Sequence, residues 1–353
     1  MGSNFDAIFK AVAKKTKDDG LSSVHRAGDI SLSSNIPFGI RTGIPELDFN
    51  IGKPGWPAGR CVELFGFEHC GKTTLAYMAI AEAQRQGGGG YFIDTEKSWD
   101  QHRARQCGVD PDVNFGIADV DSIEAAFRTM IAIIESRLEL MDNAPFVIVV
   151  DSVTGTATEF MKKHEMGKEE RVGQDARAIR GGMRRVTADI ATANINLIMI
   201  NHAISTIPKF QFAKQSEAAG GHAIKLFSTV RINLAPLGWH TEGPKENKRR
   251  LGQKIKLKVE KLKGSSMMYP EIKEILLLNT TGFDTEGNLL DAGIKAGWVT
   301  HAKGSQSYML NDKEFPKVDW PSIVLQHGGV HAAYQEFTDW CIEEGLMSQW
   351  SSA

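Results

Sequence analysis

Short unbroken apolar runs recur through the middle of the chain, separated by stretches whose apolar residues follow a helical period. Gly90-Tyr91-Phe92-Ile93, Phe146-Val147-Ile148-Val149-Val150 and Leu197-Ile198-Met199-Ile200 are strand-sized, with little polar alternation. Runs of this kind between helices predict a sheet covered on both faces. Cys61 to Phe65, Val230 to Leu234, Ile255 to Val259 and Ile272 to Leu278 extend the series. The alternation predicts one α/β core over residues 37–281 with a mostly parallel central sheet. Ahead of it, Asn4 to Lys17 predicts a short helix with Phe5, Ile8, Phe9 and Val12 on one stripe. So short a helix cannot bury its stripe alone. Residues 1–36, helix plus a polar, turn-rich linker, are therefore expected to dock on a neighbouring subunit. Beyond 281 the pattern changes. Helices around Leu289 to Ala296 and Ala332 to Glu344 flank a Trp-rich, loop-heavy stretch, so residues 282–353 are expected to form a small separate α+β domain.

Composition adds limits rather than direction. The 353 residues carry 41 Lys and Arg against 43 Asp and Glu, a net charge of −2. That sum alone speaks against nucleic acid, although the distribution matters more. No apolar run approaches the ~20 residues of a membrane helix, and the amino end lacks a signal-peptide pattern. No membrane partner is expected. Cys61, Cys70, Cys107 and Cys341 have no paired spacing, which points to neither a disulfide framework nor a zinc site. A reducing, cytoplasmic setting follows.

The sharpest chemical signal is Gly66-Phe67-Glu68-His69-Cys70-Gly71-Lys72-Thr73, followed by Thr74. It fits G-x-x-x-x-G-K-[ST] between a predicted strand and a predicted helix, the setting of a phosphate-binding loop. Backbone N–H groups and the helix N-terminus would surround a β-phosphate. Lys72 would reach the β/γ oxygens, and the Thr73 hydroxyl would ligate Mg²⁺. A glycine turn capping a helix explains the two glycines but not the Lys-Thr pair. Asp151 ends another strand, where it could hold Mg²⁺ beside Thr73 or simply cap the following segment. Asp94 and Glu96 lie at the end of a third strand and are both expected to point out of that edge; Glu96 is a candidate base for in-line water attack, and a solvated acid pair is the alternative.

Taken in order, these stretches resemble the RecA-type homologous-recombination proteins. The resemblance rests on Arg41-Thr42-Gly43 with Glu46-Leu47-Asp48, the phosphate loop, Phe92-Ile93-Asp94-Thr95-Glu96 and Val147 to Ser152. It continues through Ile200-Asn201-His202, Gly220-Gly221-His222-Ala223-Ile224-Lys225 and Val259-Glu260-Lys261-Leu262-Lys263. It covers residues 4 to about 300, and the last fifty match nothing familiar. It implies a RecA-like P-loop ATPase core and a DNA-dependent ATPase acting in strand exchange, with Glu96 as the catalytic carboxylate. Besides the loop itself, Asp100, Arg103, His202 and Lys225 are implied at the nucleotide. Lys261 and Lys263 are implied to reach a neighbour's γ-phosphate across a subunit boundary.

Three positions depart from the family pattern. His202 stands where Gln is frequent, as in some phage-encoded relatives, and its proton equilibrium makes pH-sensitive coupling an expectation. Arg103 replaces an adenine-stacking aromatic; a guanidinium plane can also stack on a base. His69-Cys70 replaces small hydroxyl residues, and Cys70 near a helix start could have a stabilised thiolate, or be a small filler.

For DNA, the segment Lys162 to Arg185 sets Arg177, Arg180 and Arg184 at i, i+3 and i+7, one face of a helix. That face suits phosphate oxygens or plain solvation; the resemblance places Arg177 and Arg184 at the first DNA-binding loop. Gly181-Gly182 costs roughly 1 kcal/mol per residue against Ala, so a break is expected there. The aperiodic stretch Ser205 to Lys214 predicts a mobile loop, with Phe210 and Phe212 as wedges beside Lys209 and Lys214, or packed locally. The resemblance makes it the second DNA-binding loop and adds Gly220 and Gly221. Implied partners are single-stranded DNA, homologous duplex, further copies in a helical filament, and single-strand-binding or loader proteins. The implied setting is bacterial, or viral within a bacterium. A ring helicase or motor could share the core, although it would usually bring a further domain.

Overall fold

The structure, a computed structural model, describes residues 5–18, 36–155, 157–159, 174–205, 216–218, 222–244, 247–265, 269–302 and 305–350. A short antiparallel pair, β1 (Gly39–Ile40) with β2 (Trp56–Pro57), stands apart from one large central sheet. The strands of that sheet are β3 (Cys61–Gly66), β4 (Gly89–Asp94), β5 (Phe115–Asp119), β6 (Phe146–Asp151) and β7 (Ile195–Ser205). They continue as β9 (Val230–Glu242), β10 (Arg249–Leu262), β11 (Glu271–Leu278) and β12 (Gly282–Phe283), while β8 (Ser216–Ala218) pairs with β7. Across the sheet the order is β12-β11-β10-β9-β3-β7-β6-β4-β5. From β9 to β5 every pairing is parallel; β10, β11 and β12 add on antiparallel. The expected mixed α/β architecture with a mostly parallel sheet is what is found.

The apolar runs work as a sheet buried on both faces demands. Val147 and Val149 point into one core with Val62, Leu64, Ile198 and Ile200. Ile148 and Val150 point into the other with Cys61, Leu197 and Met199. Each fully buried aliphatic side chain contributes about 1.5–3 kcal/mol. Helix α3 (Lys72–Arg85) fills the first layer, and α5 (Ile123–Leu140) with α6 (Gln174–Thr192) the second. The remaining core helices are α2 (Pro45–Ile51), α4 (Gln101–Gln106) and α7 (His222–Phe227). Contrary to expectation, α6 runs unbroken through Gly181-Gly182. A Cβ on Gly182 would collide with the Phe127 ring, so this glycine lets α6 approach α5, and packing offsets its low helix propensity.

Helix α1 (Phe5–Asp18) matches the expected amino-terminal helix, with Ile8 and Val12 exposed. At the other end, Gly282–Phe283 joins the edge of the main sheet. Beyond it lie α8 (Thr285–Ala296), α9 (Trp320–Gln326) and α10 (Val330–Glu343) around Leu289, Trp298, Phe315, Trp320 and Phe337. The stretch expected to be loop-heavy contains a three-stranded antiparallel sheet, Thr300–His301, Tyr308–Leu310 and Lys313–Phe315. Strands of two or three residues are too short to display an alternating period. This unit is fastened to the core. Tyr334 donates to buried Asp48, Lys53 Nζ to the Gln349 carbonyl at 2.7 Å, and Trp350 Nε1 to the Gly55 carbonyl at 3.2 Å.

Candidate active site

The carboxyl ends of β3, β4 and β6 open with β7 onto one crevice, where ligands of open α/β sheets bind. A cavity of about 810 Å³ occupies it. Its floor is the loop from Gly66 into α3. Gly71, the N-cap of α3, has φ 87°, and a Cβ there would lie 2.9 Å from Leu277 and Phe283 atoms. Only glycine combines that backbone with that contact. A Cβ on Gly66 would strike the Leu234 carbonyl oxygen and come within 2.8 Å of Cys70 Sγ. The loop thereby delivers the unpaired N–H groups of the first turn of α3 to the cavity, a ready anion site.

Charged side chains complete it. Lys72 Nζ donates to the Phe67 carbonyl at 2.7 Å and to that of Gly66 at 3.1 Å, spanning the loop. Thr73 Oγ1 donates to Asp151 Oδ2 at 2.6 Å. Burial pushes the Asp151 carboxyl up to about 6, with Glu96 adding repulsion and Thr73 and Lys72 opposing it. Glu96 Oε1 accepts from Ser152 Oγ and, at 2.9 Å, from His202 Nε2. A carboxylate only accepts, so the imidazole N–H donates. Arg103 closes the far wall, its guanidinium donating to the Leu278 carbonyl at 3.0 Å and the Asn279 carbonyl at 2.9 Å.

Thr73 and Asp151 provide one hydroxyl and one carboxylate, and the described residues hold no cluster of three or more His, Cys, Asp or Glu able to grip a metal. That sparse donor set fits Mg²⁺, which keeps several waters and takes its remaining oxygens from phosphates.

A second feature lies away from this cavity. Arg177 and Arg180 on α6, Lys225 on α7, and Lys261 and Lys263 at the end of β10 line a groove of about 640 Å³ with Ala176, Ala223 and Leu226. Among the described residues that line it, none is a carboxylate. Burial, with repulsion from Lys263 and Arg231, pushes the Lys261 ammonium down to about 8.

A family model described as the RecA N-terminal domain matches residues 6–282. The chain belongs to the RecA family. It is 33% identical over 304 residues to "Protein RecA" of Teredinibacter turnerae, covering 86% of this chain and 83% of that one. It is 35% identical over 271 residues to "Protein RecA" of Chelativorans sp., covering 76% and 71%, and 32% identical over 304 residues to that of Clostridium acetobutylicum, covering 86% and 82%. The expected recombination-ATPase family is thus borne out, and ATP binding with it.

Within this RecA-family fold the cavity gathers Glu68, His69, Cys70, Gly71, Lys72, Thr73 and Thr74 from the loop. From farther along the chain it gathers Glu96, Asp100, Arg103, Asp151 and His202. Gly66 and Phe67 meet Lys72 through their carbonyls instead. Asp100 also caps α4, accepting from Arg103 N at 3.0 Å. Lys225, Lys261 and Lys263 are not in this cavity but in the groove, with Arg177; Arg184 is exposed farther along α6. Lys209, Phe210, Phe212, Gly220, Gly221 and the segment before α6 lie outside the described residues.

One expectation needs correction, and one pair of alternatives is decided. Asp94 does not point out of the sheet edge beside Glu96: it is 4% exposed and accepts from the N–H groups of Glu96, Ser98 and Trp99 at 3.2, 3.1 and 2.9 Å. It shapes the turn that presents Glu96. Cys70 carries no stabilised thiolate, since it is fully buried, donates to the Phe67 carbonyl at 2.9 Å, and burial pushes its thiol up. Ser152 went unnoticed in the sequence; its place directly after the strand-end acid was the only available signal.

Proposed function

We propose that this protein is an ATP-dependent DNA recombinase that assembles as a helical filament on single-stranded DNA and exchanges strands with homologous duplex. The observation that carries this is the division of phosphate-handling groups between two places on one protomer. Lys72, Thr73, Asp151 and Glu96 share the nucleotide cavity, whereas Lys261 and Lys263 face a separate groove whose described lining residues include no carboxylate. Head-to-tail contact joins unlike faces of successive copies and produces an open helix when the rotation does not close. Such a contact would set one protomer's groove against its neighbour's cavity.

In this mechanism the first turn of α3 and Lys72 hold the triphosphate, and Arg103 frames the base. Thr73 and Asp151 would hold Mg²⁺, which when bound offsets the charge of the β- and γ-phosphates. Glu96 orients water in line with the γ-phosphate and takes its proton, while Ser152 and His202 fix its carboxylate. Lys261 and Lys263 stabilise charge on the transferring phosphoryl group of the neighbour, so turnover depends on assembly. DNA is held by its backbone through Arg177, Arg184 and the segments containing Lys209, Phe210, Phe212, Gly220 and Gly221. Base edges stay free, so sequence is tested by pairing, and affinity falls steeply with salt. Single-strand-binding or loader proteins are the partners such a filament would meet.

Electron microscopy with single-stranded DNA and a non-hydrolysable ATP analogue tests this directly, followed by a strand-exchange assay. Helical filaments that exchange strands are expected. Closed rings, or turnover by dilute monomer that ignores DNA, would defeat the proposal.

A further inference from the structure

Across the middle of the sheet, four polar side chains join in a single file. Thr154 Oγ1, just past β6, donates to Asn201 Oδ1 on β7 at 2.9 Å. Asn201 Nδ2 donates to Glu63 Oε1 on β3 at 2.9 Å, and Glu63 Oε2 accepts from Arg231 Nε on β9. The order β6-β7-β3-β9 is the order of the sheet itself, so the file crosses it strand by strand. Asn201, Glu63 and Arg231 are 0%, 1% and 5% exposed. The surrounding β3 side chains, Val62 and Leu64, are apolar and fully buried.

Both ends of this file touch the machinery. At one end, Asn201 precedes His202, and the Gly155 N–H after Thr154 donates at 3.0 Å to Ser152 Oγ, which in turn donates to Glu96. At the other, Arg231 sits opposite Lys261 in the β9–β10 register, its guanidinium 4.6 Å from the Phe65 ring centre. Stability alone does not account for the arrangement: a buried ion pair gains little over well-packed apolar residues of similar volume. Low dielectric does, however, make the mutual geometry of such groups stiff, because each partner is costly to leave unpaired.

We infer that Thr154, Asn201, Glu63 and Arg231 are positioning residues that tie the Glu96–His202 end of the nucleotide cavity to Lys261 in the cationic groove. A shift of β7 when His202 meets phosphate moves Asn201, which carries Glu63 and Arg231 with it and re-aims the strand bearing Lys261. One protomer thereby relates the state of its own nucleotide to the cation it offers its neighbour. This rests on the recombinase assignment.

The test uses the full-length protein, with ATP turnover measured with and without single-stranded DNA beside the melting temperature. Glu63→Met combined with Arg231→Met removes both charges together while keeping the site filled. A melting temperature lowered by a few degrees, since buried Asn201 Nδ2 loses its acceptor, DNA-free turnover within about twofold and DNA stimulation reduced about tenfold are expected, the scale on which coupling elements act. Adding Lys261→Ala should then cost less than it does in wild type, because neighbours in one network are not additive. A pair that folds and keeps its stimulation overturns the relay alone. Should the pair not fold, Thr154→Val decides: stimulation lower by about threefold at unchanged melting temperature supports the relay, and unchanged stimulation overturns it. Wild-type turnover indifferent to DNA overturns the recombinase assignment and the relay together.

Discussion

The nucleotide cavity and the cationic groove handle charge in opposite ways. In the cavity the groups placed at the phosphates have protein partners: Lys72 on two carbonyls, Asp151 on Thr73, Glu96 on Ser152 and His202. In the groove, five cations converge and none of the described lining residues is a carboxylate, while Lys261 donates to the carbonyls of Lys225 and Leu226. A self-satisfied site can bind its ligand within one protomer. A site that gathers like charges is only half of one, and its function appears when another molecule supplies the anion.

The comparison breaks most sharply in the cavity. Glu96→Gln should lower ATP turnover by about 10³-fold, the middle of the range for removing a general base, while nucleotide binding and filament formation persist. Rapid turnover in this variant would reassign the base. Lys261→Ala and Lys263→Ala should each lower DNA-stimulated turnover by about 10²-fold, the cost of losing one preorganised charge. Nucleotide affinity of the dilute protein, measured by titration calorimetry, should stay unchanged. A loss of affinity there would place these lysines in the protomer's own cavity and abolish the contrast between the two regions.

That contrast was only half legible in the sequence. The cavity was legible because its chemistry lies at strand ends in short motifs, where a loop of eight residues carries glycines, cation and hydroxyl together. The groove was not, because α6, α7 and β10 are far apart in the chain and only folding brings Arg180 beside Lys225 and Lys261. Asp94 was misjudged for a related reason: spacing tells which acid is near a strand end but not which one the turn consumes. Gly182 misled through propensity, since the ring of Phe127 that requires it lies 55 positions away, the separation of 182 from 127. The small carboxyl-terminal sheet has strands too short for any period to emerge.

A subtler separation of the two regions comes from pH. Lys261 is pushed down to about 8, so its charge is complete below about pH 7 and fades as pH rises through 8. DNA-stimulated turnover should therefore fall severalfold between pH 7 and 9 and level off in Lys261→Arg, which keeps its charge throughout. An alkaline limb that survives in Lys261→Arg would assign the fade to another group.

The smallest functional effect belongs to a third place, the seam between core and carboxyl-terminal unit, which serves as control for both. Asp48 is fully buried, with Tyr334 donating to it and Thr42 N at 3.4 Å, and burial pushes its carboxyl up to about 7. A folded-state value above the unfolded one means that the folded protein keeps a proton the unfolded chain has released. Its stabilisation is complete below about pH 4 and is lost as pH rises from about 4 to about 7. At about 1.4 kcal/mol per pKa unit the loss amounts to at most about 4 kcal/mol. Asp151, pushed up to about 6, contributes a slope of the same sign, so the two must be separated by substitution. Asp48→Asn should flatten the Asp48 share of the slope in urea melts across this window, while turnover and its DNA stimulation stay within about twofold, as for substitutions distant from a site. An Asp48→Asn protein that lost DNA stimulation at unchanged stability would tie the seam to the groove and replace two half-sites with three coupled regions.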